Sequence, residues 1–178
     1  MSEEQEDSTQ TALLIIDIQD FYFEGGSSEL VNPVAASLNA HKLLSVFRQR
    51  KHLVIHVKHG AGQGSGIHIH VSPLPNEKVI VKQKVNCFLE TDLSDFLQSN
   101  RVLNLVICGM QTNMCVEAAT RAAADLGYTC TLIHDACAAR NQVFAEKTVQ
   151  AEDVHIATLA ILKAYARVIS SEEYLASE

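Results

Sequence analysis

Short apolar runs rich in β-branched residues alternate with segments of helical periodicity along most of the chain. A run such as Val102–Cys108 has little polar alternation, which is typical of a strand that is buried on both faces. Strands that alternate with helices usually pair in parallel, and the helices then cover both faces of the sheet. The sequence therefore predicts an α/β fold around a mainly parallel six-stranded sheet. The predicted strands are Thr11–Ile16, His52–Val57, Val79–Val81, Val102–Cys108, Tyr128–Ile133 and Arg167–Ile169, and the predicted helices are Pro33–Gln49, Asp92–Gln98, Asn113–Leu126 and Val154–Tyr165.

Three reactive side chains follow predicted strands. Asp17 ends the first strand, Lys82 ends the third, and Cys115 comes shortly after the fourth. Ligands of parallel sheets bind beyond the carboxyl ends of the strands, so we expect these three side chains to meet there. Taken singly, each has an ordinary structural explanation, as a turn acid, a solvated strand end and a small buried hydrophobe.

Cys115 lies in the first turn of a predicted helix, just after Thr112 and Asn113, which are residue types that favour helix N-caps. The free N–H groups and the positive end of the helix dipole lower the pKa of a thiol in such a position. We therefore expect Cys115 to lose its proton easily and to be a nucleophile on a strand–turn–helix element.

The composition limits the class of protein. The formal net charge of -7 argues against a nucleic-acid or membrane-surface partner, and no apolar run is long enough to span a membrane. Five scattered cysteines without a C-x-x-C pair indicate reduced thiols in a cytosolic protein. The acidic start, MSEEQEDSTQ, is unlike a signal peptide. We interpret residues 1–10 as a flexible tail, residues 11–178 as a single domain, and the location as cytoplasmic.

Four segments resemble a known family, the isochorismatase-like cysteine hydrolases. These segments are TALLIIDIQDFYFEGG, VIVKQKVNCFLETDL, LVICGMQTNMCVEAATRAAADLGY and LIHDACAA. The resemblance covers nearly the whole chain after the tail, and Gly-x-x-Thr-x-x-Cys-Val is its most specific motif. It implies a Rossmann-like three-layer α/β/α sandwich, a small-molecule substrate and a homo-oligomer, either a dimer or a tetramer.

The resemblance also implies roles for individual residues. Asp17 matches the catalytic acid of the family and Cys115 its nucleophile. Lys78, Lys82 and Lys84 all lie near the position of the catalytic lysine, and the spacing of Lys82 before Phe88 fits it. A cis peptide bond at Met110–Gln111 is implied as well. We expect the backbone N–H groups of Gln111 and Cys115 to bind a developing oxyanion.

The substrate pocket and a metal site are less constrained by the sequence. Loop position suggests that five side chains line the pocket, namely Phe21, Tyr22, Asn86, Phe88 and Met114. Four histidines on or after the second strand are candidate metal ligands, namely His56, His59, His68 and His70. The segment SGIHIHVSPLPNE lacks the Asp-x-His pair of metal-binding family members and resembles the metal-free ones. We therefore expect neither a metal nor another cofactor.

The residues and the resemblance together favour a hydrolase of small-molecule C–N bonds (amide, carbamoyl or ureido) that acts through Cys115, Asp17 and Lys82 and a thioester intermediate. One alternative is an isochorismatase-type hydrolase of a vinyl ether, a reaction that does not require the cysteine. Another is a catalytically silent, oligomeric binding protein. All three catalytic positions are filled, which argues against the silent alternative.

Overall fold

The computed structural model describes residues 10–60 and 62–177. The predicted tail lies outside the described residues except for Gln10, which is not part of a tail because it begins the first strand. The strands are β1 (Gln10–Ile16), β2 (Leu53–His59), β3 (Lys78–Lys82), β4 (Val102–Met110), β5 (Thr129–Ala138), β6 (Gln142–Phe144), β7 (Lys147–Val149) and β8 (Arg167–Ile169). The α-helices are α1 (Pro33–Gln49), α2 (Leu93–Ser99), α3 (Glu117–Asp125), α4 (Ala151–Leu162) and α5 (Ser171–Ala176).

Six of these strands form one parallel sheet in the order β3-β2-β1-β4-β5-β8. The chain adds β2 and β3 on one side of β1, and then adds β4, β5 and β8 on the other side. The direction of winding therefore reverses between β1 and β4, and a crevice opens at such a reversal beyond the carboxyl ends of the two strands. The predicted parallel six-stranded sheet is confirmed.

Apolar side chains leave both faces of the sheet, as the sequence predicted. On one face Leu13 and Ile15 of β1 pack in a cluster with the inner residues of α1 and α5. On the other face Leu14 and Ile16 pack in a second cluster with residues of α2, α3 and α4. The successive residues of β1 thus belong to different cores, which explains why the strand has no polar alternation. The arrangement is a three-layer α/β/α fold.

The largest differences from the predicted elements lie late in the chain. Strand β5 continues to Ala138, five residues beyond its predicted end. A two-stranded antiparallel hairpin, β6–β7, and the short helix α5 were not predicted. The predicted helix after β4 begins as a π-helical turn, Thr112–Val116, and becomes α-helical at Glu117.

In the part of the chain that the structure describes, no helix combines the length and the apolar character needed to span a membrane.

Candidate active site

The carboxyl ends of β1, β3 and β4 bring three reactive side chains together. Lys82 Nζ lies 2.8 Å from Asp17 Oδ2 and 3.3 Å from Cys115 Sγ. The Cys115 thiol and the Asp17 carboxylate are close enough for each to affect the pKa of the other. The side chains of Asp17 and Lys82 are fully buried, and Cys115 is 6% exposed. These contacts place an acid, an amine and a thiol in one desolvated cluster at the switch point of the sheet.

The backbone around Asp17 is unusual for a residue with a side chain. Asp17 has φ of 49°, in the left-handed region, and its N–H donates to the carbonyl of Val57 on β2 at 2.9 Å. Strand β4 approaches β1 closely at the same level. A Cβ atom at Gly109 would lie 1.9 Å from the backbone oxygen of Ile16, and Gly109 itself has φ of 135°. Only glycine satisfies both conditions, so this residue permits the close approach of β4 to the strand that carries Asp17.

The structure distinguishes between the three candidate lysines. Lys82 projects into the cluster, whereas Lys78 pairs with Asp92 and lies over the ring of Phe96. The ammonium of Lys84 lies 3.6 Å from Glu90, and the Lys84 side chain is 52% exposed. Lys84 contributes to the cluster only through its backbone carbonyl, which accepts a hydrogen bond from Lys82 Nζ at 3.1 Å.

The electrostatics of the cluster correct the expectation that Cys115 is readily ionised. Burial and the neighbouring Asp17 carboxylate raise the pKa of Cys115 to about 12, and these effects outweigh the attraction of Lys82. The turn at Thr112–Val116 therefore does not make the resting sulfur a thiolate. Burial also raises the pKa of Asp17, although Lys82 opposes this effect. For Lys82 burial acts to lower the pKa, but Asp17 and Cys115 prevail and raise it. The resting cluster thus contains an ammonium, a carboxylate with increased proton affinity and a thiol.

A fourth side chain, His59, belongs to this cluster. Its Nδ1 lies 3.2 Å from Lys82 Nζ, and the backbone register places His59 of β2 directly opposite Lys82 of β3. The fully buried amide of Gln19 accepts from the His59 N–H at 2.7 Å and donates to its carbonyl at 3.2 Å. From the sequence, His59 is a candidate metal ligand or a polar residue of a loop or pocket, and a contact with the catalytic lysine was not predicted. The signal that was missed is the position of His59 at the end of a strand, the same signal that identified Asp17 and Lys82.

The turn that carries Cys115 is held from outside the cluster. The Met110–Gln111 peptide bond is cis. The next residue, Thr112, is fully buried, and its hydroxyl lies 2.8 Å from Nδ1 of His155 on α4. Burial lowers the pKa of His155, and the nearby His134 lowers it further. Helix α4 therefore fixes the position of the turn through a neutral imidazole.

The five predicted pocket residues have different surroundings. Tyr22 is buried, which raises the pKa of its phenol to about 12, and the nearby Gln111 side chain opposes this rise. Phe21 packs edge-on against Tyr22 and lines a cavity of about 480 Å³ whose lining includes none of the three reactive residues. The Asn86 side chain accepts from the N–H of Phe88, whose ring stacks 6.1 Å from that of Tyr128. Met114 is 41% exposed. Met114 belongs to the turn that carries Cys115, and Tyr22 lies close to Gln111 just before it. A pocket role for all five residues stays a prediction.

The remaining candidate metal ligands have other partners. His56 Nε2 lies 2.9 Å from Glu77, the ring of His68 stacks on Phe23, and His70 Nδ1 lies 2.8 Å from the Ser37 hydroxyl. Within residues 10–60 and 62–177, no group of three or more His, Cys, Asp or Glu side chains is arranged to hold a metal ion. That the protein needs no metal or other cofactor stays a prediction.

Comparisons with known proteins agree with this arrangement. The model of the isochorismatase domain matches residues 11–173. The uncharacterized isochorismatase family protein YddQ of Bacillus subtilis is 44% identical over 177 residues, which cover 93% of this chain and 98% of YddQ. The ureidoacrylate amidohydrolase RutB of Rhizobium rhizogenes is 27% identical over 123 residues, which cover 67% of this chain and 50% of RutB. The crystal structure of an Oleispira antarctica protein assigned to the isochorismatase hydrolases superposes with a TM-score of 0.91 at 40% identity and covers 99% of both chains.

Proposed function

Since the chain belongs to the isochorismatase family of hydrolases, we propose that it is a cysteine hydrolase that cleaves an amide, carbamoyl or ureido C–N bond in a small molecule. The observation that carries the proposal is the contact of Lys82 Nζ with both Asp17 Oδ2 and Cys115 Sγ in a cluster closed to bulk water. The relative RutB supports the bond type, because its name describes an amidohydrolase that acts on a ureido compound.

The first step forms a bond between Cys115 Sγ and the carbonyl carbon of the substrate. Because the resting sulfur carries a proton, attack requires a base, and we assign that role to the Asp17 carboxylate, which contacts Lys82 Nζ together with the thiol. The raised pKa of Asp17 improves its ability to take that proton. Lys82 stays charged throughout and offsets the negative charge as it passes from the Asp17 carboxylate to the oxyanion.

The proposed oxyanion donors are the backbone N–H groups of Gln111 and Cys115, on the turn that follows β4. Collapse of the tetrahedral intermediate breaks the C–N bond, and Asp17 returns the proton to the departing nitrogen. Ammonia or an amine leaves, and the acyl group stays on Cys115 as a thioester. Water then attacks the thioester with Asp17 again as the base, which releases the acid and restores the thiol. A homo-oligomeric state, dimer or tetramer, and a cytoplasmic location are part of the proposal.

A screen for ammonia release tests this function. Purified protein is incubated with a panel of primary amides, ureas and carbamates, and each reaction is repeated with Cys115→Ala. We expect at least one compound to be turned over by the wild-type protein, and the variant to lose roughly 1,000-fold or more of that rate while its unfolding midpoint is unchanged. Turnover by Cys115→Ala at the wild-type rate, or no turnover of any compound by the wild-type protein, would contradict the proposal.

A further inference from the structure

The ammonium of Lys82 lies close to more hydrogen-bond acceptors than it has N–H donors. Its Nζ lies 2.8 Å from Asp17 Oδ2, 3.1 Å from the Lys84 carbonyl oxygen, 3.2 Å from His59 Nδ1 and 3.3 Å from Cys115 Sγ. A lysine ammonium has three N–H donors and no acceptor. Four acceptors therefore share three protons, and one acceptor lacks a full hydrogen bond in any given state of the site.

The resting state determines which acceptor that is. Cys115 is a thiol in the resting site, and a protonated sulfur is a weak acceptor, which here also lies at the longest of the four distances from Nζ. The three N–H groups of Lys82 are then directed to the Asp17 carboxylate, the Lys84 carbonyl and His59 Nδ1. Because the ammonium can only donate, the imidazole of His59 accepts at Nδ1. The ring proton that His59 carries in this arrangement is therefore on Nε2.

The acceptors that the Lys82 N–H groups prefer change when Cys115 becomes a thiolate. A thiolate is a stronger acceptor for the Lys82 ammonium than a neutral imidazole, because its negative charge also attracts the cation. One N–H of Lys82 then turns from His59 Nδ1 to Cys115 Sγ, two atoms that lie at similar distances from Nζ. Formation of the thiolate therefore breaks the hydrogen bond between Lys82 Nζ and His59 Nδ1.

We propose that His59 is a positioning residue that holds the third proton of Lys82 away from the sulfur in the resting enzyme and releases it as the nucleophile ionises. His59 thereby keeps Cys115 protonated until a substrate is present. This inference rests on the proposed function, in which Cys115 is the nucleophile and Lys82 its cation, and it concerns how that site is regulated.

The surroundings of His59 hold it in this position. Its backbone pairs with Gln19 through both the N–H and the carbonyl, and the same amide of Gln19 donates to the carbonyl of Ser65 at 2.8 Å. Gln19 is itself fully buried. The end of β2 and the loop that follows it are thus fixed to the segment after β1, so the imidazole has little freedom to leave Lys82.

Alkylation of Cys115 by iodoacetamide at pH 7.5 tests the inference without a substrate. The matched variants are His59→Leu and His59→Asn, since leucine and asparagine have the same shape and only asparagine keeps an acceptor, Oδ1, close to the position of Nδ1. We expect His59→Leu to be alkylated about fivefold faster than the wild-type protein, the effect of losing one hydrogen bond of typical net strength. We expect His59→Asn to react within about twofold of the wild-type rate.

Four controls make the outcome specific. Mass spectrometry assigns the label to Cys115 and not to the four other buried cysteines, and Cys115→Ala gives the background rate. His52→Leu removes an imidazole just before the start of β2, at the opposite end of the strand, and is expected to react like the wild-type protein. Urea unfolding establishes that each variant is folded, and His59→Val replaces His59→Leu if that protein does not unfold cooperatively.

The inference is wrong if the acceptor-free variant is alkylated at the wild-type rate or more slowly, or if His59→Asn accelerates as much as His59→Leu. Neither of these alkylation rates depends on hydrolysis of a substrate. Failure of the ammonia screen would therefore reject the proposed activity and leave this result intact, while a negative alkylation result would leave the C–N hydrolase proposal standing.

Discussion

Two buried carboxylates of the chain, Asp17 and Glu77, have pKa values that are shifted in opposite directions. Glu77 accepts from Arg48 Nε at 2.7 Å and Nη2 at 2.8 Å, from the Leu74 N–H at 2.8 Å, and lies 2.9 Å from His56 Nε2. Burial acts to raise its pKa, but these bonds prevail and lower it to about 2. Asp17 has the Lys82 ammonium and the Cys115 thiol as its close partners, and burial prevails.

The difference shows how the number of donors separates a structural carboxylate from a reactive one. Each donor to Glu77 stabilises its charge, and the carboxylate in turn fastens the segment at Leu74–Glu77 to α1 and β2. Asp17 lacks such a set of donors, so the effect of burial prevails. Its pKa is raised, and the carboxylate binds a proton more readily. Residues of one chemical type therefore serve stability at one place and chemistry at another.

The largest effect is expected when Asp17 is neutralised. Asp17→Asn should reduce the rate of ammonia release roughly 1,000-fold or more, because no base then removes the thiol proton. The variant also leaves the fully buried Lys82 ammonium without its anion, so the free energy of unfolding should fall as well, and activity is compared under conditions where the variant is folded. The measurements are steady-state kinetics and urea unfolding. A variant that retained its activity but unfolded more readily would place Asp17 in the same class as Glu77.

The opposite outcome is expected at Glu77. Glu77→Gln should lower the free energy of unfolding at pH 7 by about 3 kcal/mol, because it leaves the Arg48 guanidinium without its anion. Activity below the unfolding temperature should change less than threefold. The structural contribution of Glu77 is fully present above its ordinary pKa of 4.5 and is lost as the pH falls towards about 2. In urea unfolding at a series of pH values, the difference between wild-type protein and variant should therefore shrink below pH 4.5. A difference that stayed constant down to pH 3 would contradict the role of the carboxylate charge.

The smallest effect is expected at Lys84, whose side chain is exposed and lies 3.6 Å from Glu90. Lys84→Met should change the free energy of unfolding by less than about 0.5 kcal/mol, since exposed ion pairs contribute little. The rate of ammonia release should change less than twofold, because the backbone carbonyl that contacts Lys82 is retained. The matched variant is Lys82→Met, which removes the buried ammonium. Equal losses of activity in the two variants would show that the catalytic lysine has been misidentified.

The sequence was sufficient to predict the helices and strands whose buried side chains leave a regular pattern of apolar residues. Helix α1 and strand β8 begin and end at the predicted residues, and the three reactive side chains lie at one edge of the sheet as expected. The hairpin β6–β7 left no such pattern because its residues are mostly exposed, including Phe144 at 84%. Helix α5 could have been found, since Ser170 and Glu173 form a capping box that is visible in the sequence.

The chemistry of the site was harder to predict than its position. The expected thiolate at Cys115 was wrong because the sequence reports a residue near a helix start but not how deeply the fold buries it. His59 was not predicted to contact Lys82 because that contact depends on the register between β2 and β3, which no local pattern encodes. Positions at strand ends can therefore be deduced from the sequence, whereas protonation states depend on distances that only the packed structure supplies.

The glycine at position 109 has a consequence for anyone who wishes to alter the substrate range of this protein. A methyl group there would overlap the carbonyl oxygen of Ile16, one residue before Asp17, so the spacing of the two central strands is set by the absence of a single carbon atom. Libraries that randomise this codon will return only the parent residue among active clones. Diversity should instead be sought at exposed positions such as Met114, where a new side chain meets solvent and not the main chain of a neighbouring strand.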